Sequence, residues 1–548
     1  MYFNSKQITT FNKIIPQMKV NILHVIYLIS LFSTTAMSSQ NLVIPDVNFK
    51  SKIIQASLNN EVARNNNGDY IKIDTDNDGE IQQTEADAVF TLDLSSSTIN
   101  SLEGITSFTN LRSLYVLHNN LNAINVSNMS YLEWLDCDSN NISSLNVNGC
   151  PNLIVLNAPN NIITELLLSG TSNLSKLNVS SNMLPSLDLS SNTNLIQVNC
   201  SANYLTSLNI DGLNSLEQLY CDHNLLTQLN LSTNSGLYVL DVNNNHLSSL
   251  DFSGSSWLYL IICDYNELSS LNGNNCTTLK TLYCSNNTLT TLEISGCTEL
   301  ASLRCDNNKL TSLDIHNNIN LTDIKCDNNE LTGLITGNGK LSTIACSNNQ
   351  LATIDLDGYP NLNNIVCDHN LLESLNFQYN PLVSQLICHH NRLTNLDFSE
   401  NHNLTQLDCS DNQLTSLNIN NGYNENNINF NANSNLQQLC VDSSQLTQIQ
   451  SLVNSYGYTI TVTADCNLNI NQFGQITSTI SIYPNPLQDI MHIKTSDPIR
   501  NTNIIDSNGR IIQTALSSNE MDVSALANGI YIAQVTTDSG IYNLKVVK

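Results

Sequence analysis

Carboxylate and amide side chains are concentrated between Asp74 and Glu85, where the sequence reads DTDNDGEIQQTE. Three aspartates alternate with other residues, a glycine follows the third, and a glutamate ends the segment. Oxygen ligands of this kind suit a hard divalent cation. Metal binding is therefore the first chemistry that the sequence offers.

The segment matches D-x-D-x-D-G-x-I-x-x-x-E throughout and resembles the EF-hand or dockerin-type calcium loop. The resemblance implies that Gly79 permits the sharp turn and that the calcium ligands are Asp74, Asp76, Asp78, the carbonyl of Glu80, Gln82 (directly or through water) and Glu85. Tyr70 to Ile73 reads as a strand, where the family usually has a helix. We therefore expect a structural calcium ion, bound at ~10⁻⁴–10⁻³ M, that clamps an N-terminal cap over residues 39–88. The alternative is an acidic turn without an ion.

Catalytic motifs are missing from the sequence. There is no G-x-S-x-G, no H-E-x-x-H and no phosphate loop. Catalysis needs a unique, protected group of residues, whereas nearly every polar residue here recurs with a repeat. The sequence predicts that the protein is not an enzyme.

The repeat is 21 residues long and is marked by asparagine. The unit is clearest from Leu404 to Leu414, followed by Leu417 and Ile419. The pattern L-x-x-L-x-C/V-x-x-N-x-L resembles the leucine-rich repeat family, in the short bacterial variety of internalin-like proteins, and it covers residues 89–446. One step is 20 residues long, and the marker asparagines are Asn119, Asn140, Asn161, Asn182, Asn203, Asn224, Asn245, Asn266, Asn287, Asn308, Asn329, Asn349, Asn370, Asn391 and Asn412.

The repeat has a physical explanation of its own. In a short strand the Leu and Cys of L-x-C point inward and the residue between them points outward. The following Asn lies where the chain turns, and a buried amide can bond the backbone groups that lose their ladder partners there. A single repeat cannot bury its own face, so neighbours must stack. We predict an α/β or mostly β fold, a leucine-rich repeat solenoid of about 16 repeats followed by a small β-sandwich.

Eleven of the 16 cysteines occupy the inward strand position, which Ala158, Val179 and Val242 fill in other repeats. This exchange favours buried free thiols over disulfides or a soft-metal ladder, because side chains of adjacent parallel strands have poor disulfide geometry. Cys440 and Cys466 lie off this pattern, where the repeats end. We predict a disulfide between them that ties down the terminal cap.

The outward strand positions should form one continuous concave face, sized for a protein or a long polymer. Aromatic residues beside acids suit a basic protein surface or stacking on sugar rings. The alternative for the aspartates is that they cap the turn before each Asn. One column holds Asp138, Asp222, Asp264, Asp306, Asp327 and Asp368, and the next is predicted to hold Trp134, Tyr220, Ile262, Tyr283, Arg304 and Lys325.

A smaller group shares a repeat position in three successive repeats: His369, His390 and Asp411, with Asp368 and His389 beside them. Stacking would bring these side chains about 5 Å apart, close enough to bind a transition metal. Drift of polar residues at an exposed turn explains the group equally well.

Export is indicated at the N-terminus. Lys19 precedes an apolar run from Ile22 to Phe32, and Ala36-Met37-Ser38 has the small-x-small form of a cleavage site. We predict a signal peptide over residues 1–38, with Met18 as the start. The first cysteine of the chain is Cys137, so a lipid anchor at the cleavage site is not expected, and no later segment approaches the length of a membrane span. The formal charge of −27 excludes nucleic acids and anionic lipids as partners.

The C-terminal segment breaks the Leu and Asn rhythm. Its spaced parts are YPNP at 483–486, D-x-x-G-R at 506–510, L-x-x-G-x-Y at 526–531 and K-V-x-K at 545–548. The set resembles the C-terminal sorting domain of the type IX secretion system, which implies a Gram-negative bacterium of the Bacteroidota. The alternative is an ordinary β-sandwich binding module. We assign the sorting domain to residues 479–548, and a cap and linker to residues 447–478.

These observations predict an exported cell-surface or secreted protein that mediates binding or adhesion through its concave face. A glycan-binding module for polysaccharide capture is the alternative. The expected partners are a protein or glycan at the cell surface and, through the C-terminal domain, the type IX machinery.

Overall fold

The computed structural model describes residues 41–466 apart from 338, and residues 480–548 apart from 484–486, 496, 506–510, 528 and 538–540. The predicted signal peptide, the last three residues of YPNP and the D-x-x-G-R motif lie outside the described residues. The chain forms two units, residues 1–464 and 465–548. None of the helices in the described ranges has the length and hydropathy needed to cross a bilayer.

Each repeat contributes a strand of three residues whose middle residue is buried and whose flanking residues face outward. Leu282 and Leu303, the middle residues of two adjacent strands, are paired in register and fully buried. Within the described residues, 18 strands form one long sheet, parallel except for its first strand. They are Ala63–Arg64, Thr91–Asp93, Ser113–Tyr115, Trp134–Asp136, Val155–Asn157, Lys176–Asn178, Gln197–Asn199, Gln218–Tyr220, Val239–Asp241, Leu260–Ile262, Thr281–Tyr283, Ser302–Arg304, Asp323–Lys325, Thr343–Ala345, Asn364–Val366, Gln385–Ile387, Gln406–Asp408 and Asn427–Asn429.

The second apolar pair of each repeat forms the opposite wall, which is less regular. Its strands pair only in small groups of parallel neighbours. They are Ala123–Asn125, Ser144–Asn146 and Leu166–Leu167; Ser186–Asp188 and Ser207–Asn209; Ser270–Asn272 and Thr291–Glu293; Ser312–Asp314 and Gly333–Ile335; and Asn395–Asp397, Ser416–Ile419, Gln438–Val441 and Val462–Thr463. The solenoid architecture predicted from the repeat is confirmed.

The N-terminal cap begins with the helix Val47–Ile54, which buries Phe49 and Ile53 against the first repeats. Asp46 caps this helix: one carboxylate oxygen accepts from two N–H groups of its first turn, and the other accepts from the N–H groups of Asn100 and Ser101. Although burial opposes it, these four backbone donors lower the pKa of Asp46. Two short helices, Gln83–Ala86 and the 3₁₀ helix Ile105–Ser107, complete this end.

The repeats end at the helix Leu446–Ser455, which buries Ile449 and Val453. The strand Val462–Thr463 then pairs in parallel with Gln438–Val441. Cys440 and Cys466 are both disulfide-bonded.

The second unit packs two antiparallel sheets around a small core to which both contribute, with Met491 from one and Val535 from the other fully buried. The first sheet contains Ser481–Tyr483, Ile490–Lys494 and Glu520–Asp522. The second contains Ile511–Leu516, Ile499–Ile505, Ile530–Thr537 and Ile541–Val547, in that spatial order. The predicted β-sandwich is confirmed.

Candidate functional site

Each strand of the long sheet from Ser113–Tyr115 to Asn427–Asn429 ends in the same turn, and this turn positions the candidate side chains. The residue before each marker Asn has a φ between 51° and 56° in sixteen successive repeats, from His118 to Ala432. None of these residues is glycine, although left-handed backbone is strained for other residues. The turn therefore holds one side chain per repeat, stacked upon its neighbours along one edge of the long sheet.

The marker Asn supports this turn from inside. The side-chain nitrogen of Asn287 donates to the carbonyls of Cys263, Cys284 and Ser285, and its oxygen accepts from the N–H of Leu268. Cys263 and Leu268 belong to the preceding repeat, so each buried amide joins two repeats. The same pattern extends beyond the predicted series to Asn433.

The cysteines of the ladder are buried free thiols. Burial raises the pKa of Cys200 to about 12 and raises the pKa values of the other ladder thiols as well. Nucleophiles and metal ligands must be thiolates, and burial disfavours that form. The ladder is therefore packing material rather than a reactive site.

The outward face of the long sheet is the predicted concave face. Its last strand positions form a column in which Tyr220, Ile262 and Tyr283 lie near Arg304 and Lys325, as the sequence indicated. Placing Trp134 in this column was wrong. Trp134 is the first residue of its strand and pairs with Ser113 and Val155, whereas Asp136, two residues later on the same face, holds the column position.

The aromatic residues of this column are half-buried rather than prominent. The Arg304 guanidinium lies 4.4 Å from the ring centroid of Tyr283 and covers part of that ring. Lys325 Nζ lies 3.6 Å from a carboxylate oxygen of Asp306, which is itself only 5% exposed. Arg304, Tyr283 and Lys325 therefore already have partners within the chain.

The aspartate column bonds along the stack. The hydroxyl of Ser285 donates to Asp306 at 2.6 Å, and its N–H donates to Asp264 at 2.5 Å. In the same way, the N–H of Ser347 donates to Asp327 at 2.7 Å and its hydroxyl donates to Asp368 at 2.5 Å. These bonds favour the structural alternative for the column, although they link neighbouring repeats rather than capping a single turn.

One acid of the outward face is strongly perturbed. Burial raises the pKa of Asp241 to about 6; hydrogen bonds from Asn243 oppose the rise, and the nearby carboxylates of Asp222 and Asp264 add to it. Burial also raises the pKa of Asp264 itself. Crowded carboxylates in partial burial carry unfavourable charge that a cationic group on a partner would relieve.

The histidine group comes together differently from the prediction. A nitrogen from each of His369, His389 and His390 lies within 4.8 Å of the others. Asp411 stands at the side, with an oxygen 3.7 Å from His390 Nε2. His389 belongs to the group because it directly precedes His390, the left-handed residue of the same repeat, and both lie at this edge of the sheet.

The acidic loop brings its three aspartates together, with oxygens of Asp74, Asp76 and Asp78 within 4.8 Å of one another. Asp74 is only 4% exposed, and its Oδ1 is buried without a hydrogen-bond partner. A buried carboxylate oxygen without a hydrogen-bond donor is unfavourable unless it binds a cation. This oxygen fits a bound ion.

The other predicted ligands make contacts inside the loop. Glu85 accepts from the N–H and hydroxyl of Thr75 and from the N–H of Gln82. The Gln82 amide donates to Asp78, and the Glu80 carboxylate pairs with Lys50 at 2.6 Å. Glu85 thus ties the two ends of the loop together. The strand predicted before the loop was wrong: only an isolated bridge between Tyr70 and Arg64 forms there.

Two features escaped the sequence prediction. Tyr238 and Tyr259 precede adjacent strands and stack with ring centroids 5.0 Å apart, and their 21-residue spacing was the available signal. A second buried column lies along the opposite wall with the same period, and it contains Cys150, Thr171, Asn192, Leu213, Asn234, Ser255, Cys276, Cys297, Asn318, Tyr359, Asn380 and Asn401.

Comparison with known proteins identifies the C-terminal unit and the fold. Residues 481–548 match the family model of the secretion system C-terminal sorting domain. The chain matches no curated protein. The functional domain of InlJ from Listeria monocytogenes, which includes a cysteine ladder, is similar at 20% identity over 93% of this chain and 100% of that chain, with a TM-score of 0.55. A leucine-rich repeat protein of Leptospira interrogans is similar at 20% identity over 70% of this chain and 97% of that chain, with a TM-score of 0.49. The first of these two likenesses shows the leucine-rich repeat fold.

Proposed function

We propose that this chain, a leucine-rich repeat solenoid followed by a sorting domain, is an exported protein of a Gram-negative bacterium of the Bacteroidota that binds a partner protein at the cell surface through the outward face of its long sheet. The observation that carries the proposal is that face itself. It runs without interruption through the parallel strands, and its outward residues vary while its buried residues repeat. Attachment to the surface and release from it are both compatible with a sorting domain.

The chemistry of the face favours a partner with a basic surface. Its carboxylates include Asp222, Asp241 and Asp264, which lie in adjacent repeats, and burial holds the pKa of Asp241 near 6. The formal charge of −27 adds a long-range field that steers cationic partners. Catalysis is not part of the proposal, because the polar residues of the face are spread along the sheet instead of forming one protected constellation.

Replacing both Tyr220 and Tyr283 by alanine should weaken capture of the partner by about tenfold or more, because half-buried aromatic side chains dominate binding energy at protein interfaces. The measurement is affinity by surface plasmon resonance for a protein captured and cross-linked from the surface of neighbouring cells. Tyr379→Ala is the matched control, since Tyr379 is exposed and lies outside the long sheet. Binding that survives the double substitution unchanged would exclude this part of the face.

A glycan ligand is the second candidate, and one observation favours it. The stacked Tyr238 and Tyr259 lie near Trp257 in sequence, and Trp257 is 66% exposed. Exposed aromatic rings stack on the apolar faces of sugars. A glycan array separates the candidates: polysaccharide binding that depends on Trp257 and not on Tyr220 would replace the protein partner by a glycan.

Calcium belongs to the proposal as the structural ion of the N-terminal cap. The three aspartates and the unpartnered Asp74 oxygen support it. When bound, the ion would offset the mutual repulsion of these carboxylates. Lys50 and Glu85 already brace the loop, so the residues of the chain position the oxygens before the ion arrives.

Adding 5 mM calcium should stabilise the cap by about 1–2 kcal/mol if the dissociation constant is ~10⁻⁴–10⁻³ M, as for extracellular modules. Asp74→Asn should abolish this gain, and Asp69→Asn, an exposed acid outside the loop, should keep it. Calorimetric titration and thermal melts with calcium or with chelator measure both quantities. An unchanged melt and no heat of binding in the unsubstituted protein would leave the loop as a plain acidic turn.

A further inference from the structure

We propose that His369, His389 and His390 bind a late first-row divalent cation, for which Zn²⁺ is the probe. The site is independent of the partner and of the calcium loop. It lies at the turn edge of the long sheet, where the strands Asn364–Val366 and Gln385–Ile387 end.

Backbone geometry brings the three rings together. His369 and His390 occupy the left-handed position of successive repeats, and their rings stack with centroids 4.3 Å apart and planes 7° apart. His389 is the outward residue just before His390, and its ring stands edge-on to both. The repeat thus fixes three imidazoles within reach of one ion without a dedicated loop.

The ring nitrogens of the histidines lie close together, as the ligands of a metal site do when no metal is bound. Nδ1 of His389 and Nδ1 of His390 are 2.9 Å apart, a distance that fits an N–H···N hydrogen bond between the two rings. Tetrahedral ligands about 2.05 Å from Zn²⁺ lie about 3.3 Å from one another, so nitrogens within 4.8 Å reach one ion after side-chain rotations that also turn the parallel rings of His369 and His390 toward it. One of the two rings carries its proton on Nδ1. When that proton moves to Nε2 of the same ring, the Nδ1 atoms of both rings are free to bind the ion.

A carboxylate orients the third ring. Asp368 Oδ2 lies 2.8 Å from Nδ1 of His369, and the side chain of Asp368 is 13% exposed. When Asp368 accepts a hydrogen bond from Nδ1 of His369, the lone pair of that ring lies on Nε2 and is free to bind a metal. A carboxylate on the other ring nitrogen is the usual second contact of a metal-binding histidine. Asp368 also lies 3.8 Å from Nε2 of His389, and Asp411 lies 3.7 Å from Nε2 of His390, so negative charge surrounds the imidazoles.

The donor set selects the class of ion. Neutral imidazoles suit zinc, copper and nickel, whereas calcium and magnesium prefer oxygen ligands. The rings are partly exposed, so an ion can reach them, and water can complete its coordination.

The repeat itself supplies substitutions that preserve the fold. Asn occupies the left-handed position at 286, 307, 328 and 348 with the same φ, and Ser occupies the position of His389 at 285, 347 and 410. The triple variant His369→Asn, His389→Ser, His390→Asn therefore restores the common turn. His223→Asn is the matched control, because His223 pairs with Asp222 at 2.8 Å in the same way, but the same position in the adjacent repeats holds Ala202 and Asn244 instead of histidine.

The test is titration of the full chain with ZnCl₂ by calorimetry in excess calcium, so that the acidic loop does not compete. Cobalt substitution with visible absorption gives a second readout of nitrogen ligation. We expect one Zn²⁺ per chain, with affinity falling on the order of 10–100-fold in the triple variant. His223→Asn and Asp74→Asn should bind as the unsubstituted chain does. Absence of Zn²⁺ binding, equal binding by the triple variant, or an equal loss in His223→Asn would each overturn the proposal.

Discussion

Replacing Asn287 by alanine should destabilise the central repeats by about 3–5 kcal/mol. The substitution removes four hydrogen bonds and leaves the carbonyls of Cys263 and Cys284 and the N–H of Leu268 buried without that partner. Each buried polar group left unpaired costs about 1–3 kcal/mol. Because stability in a solenoid is a sum of repeat and neighbour terms, the loss should be local.

Native-state hydrogen exchange is the appropriate measurement, because a long repeat array need not unfold in one step. Amides of the repeats around residues 263–308 should exchange faster, while those of the N-terminal cap should not change. Asn286→Ser is the control: its position is half-buried, Ser occupies it at 139 and 181 with the same φ, and the expected change is within about 0.5 kcal/mol. A loss for Asn287→Ala no larger than that of the control would show that the amide ladder does not hold the stack.

Deleting residues 544–548 should trap the protein in the periplasm. These residues form most of the strand Ile541–Val547, which pairs with Ile530–Thr537 and places Val546 in the core of the second unit. Lys548 adds two backbone bonds to Gly529. Removing them exposes one sheet edge and opens the core, so the machinery that reads the sorting domain should no longer recognise its fold.

Cell fractionation measures this outcome, and we expect surface and medium levels to fall by at least about tenfold, as for any signal that is read only when folded. Lys494→Gln, on an exposed end of the strand Ile490–Lys494, is the control and should be exported normally. Normal surface display of the deleted chain would mean that the C-terminal unit is not what directs export.

The sequence predicts the backbone of this molecule well because the 21-residue repeat determines both the buried face and the turn of every unit. Leucine and cysteine on alternate positions indicated the buried face, and the Asn series indicated the turn. Both follow from rules that act on every repeat equally: strand alternation and the need to bond buried polar groups.

Side-chain chemistry was less predictable where it depends on rotamers and on single positions. Trp134 was placed in the wrong column because a two-residue offset moves a side chain along the strand without changing its face. The carboxylate of Glu85 accepts from Thr75 and Gln82, contacts that the loop motif does not specify. His389 was set beside the histidine group and turned out to be its third member, because the pattern does not encode how neighbouring rings rotate.

The fourteen free thiols make the solenoid its own sensor of opening. Burial encloses these thiols and raises the pKa of Cys200 to about 12, so labelling reagents and oxidants react only when a repeat separates from its neighbour. The rate at which each cysteine is oxidised is therefore set by how often its own repeat opens locally. Read cysteine by cysteine, labelling rates would give a map of local stability along the stack at one-repeat resolution, with no probe added to the chain.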